Sequence, residues 1–335
     1  MRGLFRHGRH LLWVLVGVVL LPGLAMSGSR PVRSASQTRW NTRLLGVRRQ
    51  FVYERIDHRP VTLYLFRPQN AGDAPRPVAI YIHGGALRYG SARISNRNTP
   101  HNRLLVMVER RLIQEGIDFV SVNYRLAPLY PWPEPLNDAK RSVHYLATHA
   151  QTLHLNRERM GVMGDSAGGQ LSAFVGLTME TNQAPRRPMV RGVVDLFGPT
   201  DRHAFAIAWR RRHGLQPNPV FGVLTWKRVR RESAVSYVHP GAPPFLIIQG
   251  SEDRVVPPAQ SSLLRRRLVQ DHVPVEEILV RHAGHELIDR GGPIDPPLTV
   301  IANRISDFFL GLLYNDSRLG WGDHDGRTTR RGGTS

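Results

Sequence analysis

The chain has 335 residues, no cysteine, and 46 basic against 26 acidic residues, a formal net charge of +20. The lack of cysteine excludes disulfides, thiol catalysis and lipid attachment at a lipobox cysteine. The length suits one large α/β domain with a substantial core. The positive charge is almost all arginine, since lysine stands only at Lys140 and Lys227; it reads as a preference for arginine on a solvated face, with contact to an anionic membrane or wall polymer as the second reading.

In chain order, Arg2, Arg6 and Arg9 precede an apolar run, Leu11 to Leu21, and then Pro22, Gly23 and Ala25-Met26-Ser27. A basic start, a short apolar stretch and small residues predict a signal peptide over 1–27, with an uncleaved N-terminal anchor as the alternative. Export to the periplasm or the exterior is therefore expected. Residues 28–43 read as a flexible linker, 44–314 as the folded domain and 315–335 as a polar, disordered tail. Within the domain, Phe51–Ile56 and Val61–Phe66 read as an antiparallel opening pair, and Val78–Ile82 as a buried strand. His101–Glu115 reads as a helix, with Leu104, Leu105, Val108 and Leu112 at helical spacing. Strands at Ile117–Val122, Met160–Met163, Val190–Leu196, Pro244–Gly250 and Val275–Val280 alternate with helical stretches at Glu134–His149, Ala167–Met179 and Gln260–Gln270, and Leu298–Leu313 closes the domain. This alternation predicts an α/β architecture: a mostly parallel eight-stranded sheet flanked by helices. Residues 199–244 break the rhythm and read as a cap excursion. Its Trp209, Phe221 and Trp226 either line a pocket or pack the excursion onto the body. No internal repeat is present.

Three segments carry the chemistry. Gly164-Asp165-Ser166-Ala167-Gly168-Gly169 follows the Met160 strand and precedes a helix, the order of a nucleophile elbow. A tight turn that happens to hold serine is the plain alternative. The elbow leaves the Ala167 N–H facing whatever Ser166 attacks. Upstream, the Val78 strand ends in His83-Gly84-Gly85-Ala86, where a glycine pair lets backbone amides turn toward an oxyanion. Downstream, Asp253 follows the Pro244 strand, and His285 follows the Val275 strand. The order Ser, Asp, His belongs to one of the convergent triads, in which a base activates the hydroxyl and an acid holds the base. Glu252, Asp195, Asp201 and Glu286 compete with Asp253 for the acid, and His282 competes with His285. Gly284, just before His285, favours the latter, because a tight turn can swing its ring toward Ser166. All three candidates fall past strand C-termini, where ligands of such sheets sit.

These residues resemble the hormone-sensitive-lipase-like group of α/β-hydrolases, in its bacterial, feruloyl-esterase-like carboxylesterase branch. The motifs are His83-Gly84-Gly85, Gly164 to Gly169, Val122 to Pro128 and Pro131-Trp132-Pro133, and the likeness runs from about Phe51 to Leu313. The resemblance implies an α/β-hydrolase fold and a catalytic triad of Ser166, Asp253 and His285. It implies an oxyanion hole at Gly84, Gly85, Ala86 and Ala167, the last three donating and Gly84 shaping the loop. It further implies hydrolysis of small-molecule esters with short- to medium-chain acyl groups. Leu87 and Arg88 stand where many relatives carry an aromatic residue, which leaves the acyl-pocket wall open. Arg125, Asp138 and Asp165 read as structural. No paired histidine spacing, P-loop or dinucleotide fingerprint occurs, so no metal and no cofactor are expected, and no nucleic-acid signature is present. The alternatives are an arylformamidase or a polysaccharide acetyl or feruloyl esterase, a non-catalytic binder using the same pocket, and a membrane-surface binding protein on the same scaffold.

Overall fold

The computed structural model describes residues 46–69, 71–94, 99–181, 187–213 and 226–315. The predicted leader or anchor at 1–27 and the linker at 28–43 lie outside them, as do 316–335 of the predicted tail. Every described residue belongs to one compact unit, Leu44–Ser335.

Eight strands form one sheet. They are β1 (Gly46–Ile56), β2 (Arg59–Pro68), β3 (Arg76–Ile82), β4 (Asp118–Val122), β5 (Leu155–Asp165), β6 (Val193–Leu196), β7 (Phe245–Gly250) and β8 (Val275–Val280), in the spatial order β1-β2-β4-β3-β5-β6-β7-β8. β2 pairs antiparallel with β1 and β4, and all other pairings are parallel. Parallel neighbours need crossovers, and helices supply them: α1 (Pro100–Gln114), α2 (Glu134–Thr148), α3 (Ala167–Thr178), α4 (Arg202–His213), α5 (Trp226–Arg231) and α6 (Ala259–Gln270). α7 (Leu298–Tyr314) follows β8.

The period of two in the strands separates the two cores. In β3, Val78, Ile80 and Ile82 join a cluster with Leu136 of α2, Leu171 of α3 and Leu264 of α6. Ala79 and Tyr81, between them, join the opposite cluster with Leu104 and Leu112 of α1 and Phe308 and Phe309 of α7. Both faces are thus sealed by helices, and the continuous apolar run of β3 is what such burial demands. Asp118 at the start of β4 is held by Arg67 at 2.5 Å and by Arg76 at 2.9 Å. Those contacts fix the end of the sheet opposite the candidate residues.

Several strand boundaries differ from expectation: β1 begins at Gly46 rather than Phe51, β2 spans Arg59–Pro68 rather than Val61–Phe66, and β3 begins at Arg76 rather than Val78. β5 begins at Leu155 rather than Met160, because its first residues, Asn156 to Glu158, are polar and outward and hide the strand pattern. β6 begins at Val193, since Arg191 and Gly192 turn the chain before it. The described parts of the excursion are helical: α4, α5 and a 3-10 turn at Ala234–Tyr237. Tyr237 meets Phe174 of α3 with ring centroids 5.5 Å apart, and Phe205 meets Trp209 within α4 at 6.1 Å. Phe221 and the side chain of Trp226 lie outside what is described. Asn315, the first residue of the predicted tail, closes α7 in a left-handed conformation.

Candidate active site

The elbow is built by close approach. A Cβ on Gly168 would stand 2.0 Å from the Ile82 carbonyl oxygen, and one on Gly164 would stand 2.3 Å from that of Gly168. Only glycine lets α3 start this near β3. Ser166 caps the helix at φ 51°, ψ −118°, a conformation a serine adopts only when its surroundings impose it. Its N–H donates to Leu196 O at 2.8 Å, which ties the turn to β6.

Three side chains from three loops meet at this turn. His285 Nε2 lies 3.0 Å from Ser166 Oγ, and His285 Nδ1 lies 2.7 Å from Asp253 Oδ2. With a carboxylate at 253, the ring proton sits on Nδ1 and donates to Asp253, which leaves Nε2 to accept from the serine hydroxyl. Asp253 is 4% exposed. Its Oδ1 accepts the N–H groups of Val255 (2.8 Å) and Val256 (2.9 Å), and Gln249 Nε2 donates to Oδ2 at 3.3 Å. Gln249 is itself set by the Ser261 hydroxyl, which donates to its Oε1 at 2.8 Å. The ring of Phe197 stands edge-on to His285, with centroids 5.0 Å apart.

The rival residues go elsewhere. His282 is exposed in a turn just past β8, and Glu252 is exposed beside Asp253. Asp201 accepts the Ala204 N–H at 2.8 Å and so caps α4. Asp195 is buried in β6, with Gly198 N–H as its donor at 2.9 Å. Burial pushes its carboxyl up to about 7, against the opposing effect of that hydrogen bond. Glu286 is adjacent to His285 at φ 58°, while Asp253 holds the ring.

The His83–Ala86 loop is clamped on both sides. Gly84 N–H donates to Asp165 Oδ1 at 2.8 Å, and the Tyr81 hydroxyl donates to the same oxygen at 2.6 Å. The His83 ring stacks on Tyr124, 4.3 Å between centroids, and its Nδ1 is 2.7 Å from Gly84 O. Burial lowers the His83 pKa, partly offset by that hydrogen bond. The Tyr124 hydroxyl donates to His83 O at 2.8 Å. Gly84 therefore differs from its companions, because its N–H is already spent on Asp165. The N–H groups of Gly85, Ala86 and Ala167 have no acceptor among the described residues. Gly85 turns at φ 111°, which favours glycine, and Ala86 follows at φ 55°. At the departure from the family pattern, Leu87 points into the core and not along the rim, while Tyr89 is 64% exposed with the Arg88 guanidinium over its ring. Arg125 is engaged by Asp138 at 2.7 Å and by Glu134, which pins the segment after β4.

Gln249, Phe197, Tyr81 and His101 (which faces Asp165) belong to this site but carry no motif. Among the described residues no cluster of three histidine, aspartate or glutamate side chains could hold a metal ion.

A sheet in this order, with a serine elbow after β5 and an acid and a histidine beyond later strands at the same edge, defines an α/β-hydrolase fold. The chain belongs to the BD-FAE family, whose model matches residues 63–268, more than half of the chain. It is similar to esterase LipC of Mycobacterium tuberculosis, 29% identical over 76% of this chain and 66% of LipC. Esterase LipQ of the same organism is 25% identical over 74% of this chain and 58% of LipQ. The chain thus spans less than two thirds of the length of these curated relatives. A truncated carbohydrate esterase from gut microbiota has the same fold, with a TM-score of 0.60 and 21% identity over 81% of this chain and 98% of that one.

Proposed function

We propose that the chain is a serine carboxylic-ester hydrolase acting through an acyl-enzyme on short- to medium-chain acyl esters. The observation that carries the reading is the continuous relay Asp253–His285–Ser166, with its two contacts of 2.7 and 3.0 Å. The family and the esterases LipC and LipQ support it.

In this reading His285 Nε2 takes the Ser166 proton as Oγ bonds to the ester carbonyl carbon. Asp253 keeps the ring in its working tautomer and stabilises the imidazolium. The free amides of Gly85, Ala86 and Ala167 receive the oxyanion, already in place before charge develops. The C–O bond to the alcohol breaks as Nε2–H protonates the leaving oxygen. Water then repeats the cycle at the acyl carbon, releasing the acid and restoring Ser166. The chain works outside the cytoplasm, released or held by its basic-apolar N-terminus.

Ser166→Ala tests the assignment on p-nitrophenyl acetate and butyrate, with fluorophosphonate labelling alongside. The expected outcome is a loss of several orders of magnitude in kcat and no label. Activity within about tenfold of the parent, or a label retained without Ser166, would refute the mechanism.

A further inference from the structure

His101 has no place in the sequence motifs. It is the second residue of α1, 6% exposed, and its Nε2 stands 3.4 Å from Asp165 Oδ2. Its Nδ1 is buried with no hydrogen-bond partner among the described residues. The histidine is therefore held by what Nε2 and the ring faces touch. One touches the Asp165 carboxylate. The other is the Phe197 ring, met edge-on at 5.7 Å, which in turn stands edge-on to His285 at 5.0 Å.

Asp165 is the pivot of this arrangement. It immediately precedes Ser166, and its Oδ1 takes the N–H of Gly84, the residue before the free amides of the His83–Ala86 loop. One buried carboxylate thus links elbow to loop, with Tyr81 on β3 bracing Oδ1 and His101 on α1 facing Oδ2. Without a group at Oδ2, the carboxylate can turn about its terminal bond, and Gly84 turns with it. Oxyanion donors act through fixed geometry, so a small rotation there is felt in the transition state before it is felt in substrate binding.

We infer that His101 is a positioning residue for acyl transfer, holding the oxyanion loop through Asp165 and the catalytic imidazole through Phe197. The inference rests on the serine-esterase reading above. His101→Phe keeps a ring against Phe197 and removes the polar edge, and His101→Gln restores an amide near Nε2. Both are assayed as full chain on p-nitrophenyl butyrate, with kcat referred to sites titrated by fluorophosphonate, so that misfolded protein is not counted. The Phe variant should lose about tenfold in kcat with KM within about twofold, and the Gln variant should return to within about threefold of the parent. Tyr81→Phe removes the other brace and should give the same kcat-selective loss if His101→Phe does not fold. Parent-like kcat per titrated site in either phenylalanine variant would overturn the inference. So would equal losses in His101→Phe and His101→Gln, which would mark a purely structural role. An active Ser166→Ala would remove the esterase reading itself; an inactive Ser166→Ala beside a fully active His101→Phe would remove only this inference.

Discussion

Asp253 and Asp195 sit in neighbouring regions and meet different fates. Asp195 lies in β6 and Asp253 three residues past β7, and both are out of reach of solvent. Asp253 accepts two backbone N–H groups on one oxygen, and Gln249 and His285 on the other. Asp195 has Gly198 N–H on one oxygen, while the second is buried without a partner. Burial costs a carboxylate its hydration in either place, and only donors replace it. Four donors surround one carboxylate where it faces an imidazole. A single donor leaves the other with its pKa pushed up to about 7. Two aspartates that are rivals in the sequence, with Asp253 the favoured one, thus differ in what surrounds them.

The largest expected effect tests the four-donor member of that pair. Asp253→Asn keeps the shape but turns an amide toward Nδ1. The ring proton then moves to Nε2, which can no longer accept from Ser166. A loss of about 10³ to 10⁴ in kcat is expected, with KM within a few-fold. A loss under about tenfold would mean that Asp253 does not orient the base. A greater loss from Asp195→Asn would reverse the comparison outright. Next in size is Gln249→Leu, which removes the side-chain donor to Asp253 Oδ2 and leaves the Ser261 hydroxyl without its acceptor. The two backbone donors remain, so the loss should be about tenfold in kcat. An unchanged rate would show that the backbone amides alone suffice.

The same contrast explains what could be read from the chain. The eight strands and the two-faced core follow from periodicity, which is local. Ser166 is legible because Gly164 and Gly168 must be glycine for a turn that close to β3. Asp253 and His285 are legible because each follows a buried strand, so chain order alone brings them to one edge. Tyr81 and His101 are not legible. Tyr81 meets Asp165 from 84 positions away, and His101 sits in a helix whose apolar spacing looks complete without it. The start of β5 is hidden for a related reason, since a polar strand edge has no apolar pattern to display. The sequence favours Asp253 over Asp195 by its place after a strand, but the donors that distinguish the two carboxylates come only with folding.

The smallest effect on rate comes from the single-donor member. Asp195→Asn should leave kcat at pH 7 within about twofold, because no reacting group depends on that carboxylate. Its signature is in stability. The folded-state pKa of about 7 stands above the value of about 4 for an unfolded aspartate. Below about pH 4 the side chain is protonated in both states, so it adds no pH dependence. As pH rises from about 4 toward 7, the unfolded chain releases its proton while the fold retains it, and stability falls; above about 7 the loss is complete. Asparagine carries no proton to lose. The variant should therefore match the parent near pH 4 and gain on it as pH rises, by roughly 2 to 4 kcal/mol at pH 8. Urea midpoints at several pH values provide the measurement. A difference between variant and parent that stays constant from pH 4 to 8 would mean that Asp195 is ionised in the fold. The contrast with Asp253 would then lie in position alone and not in the donors each oxygen receives.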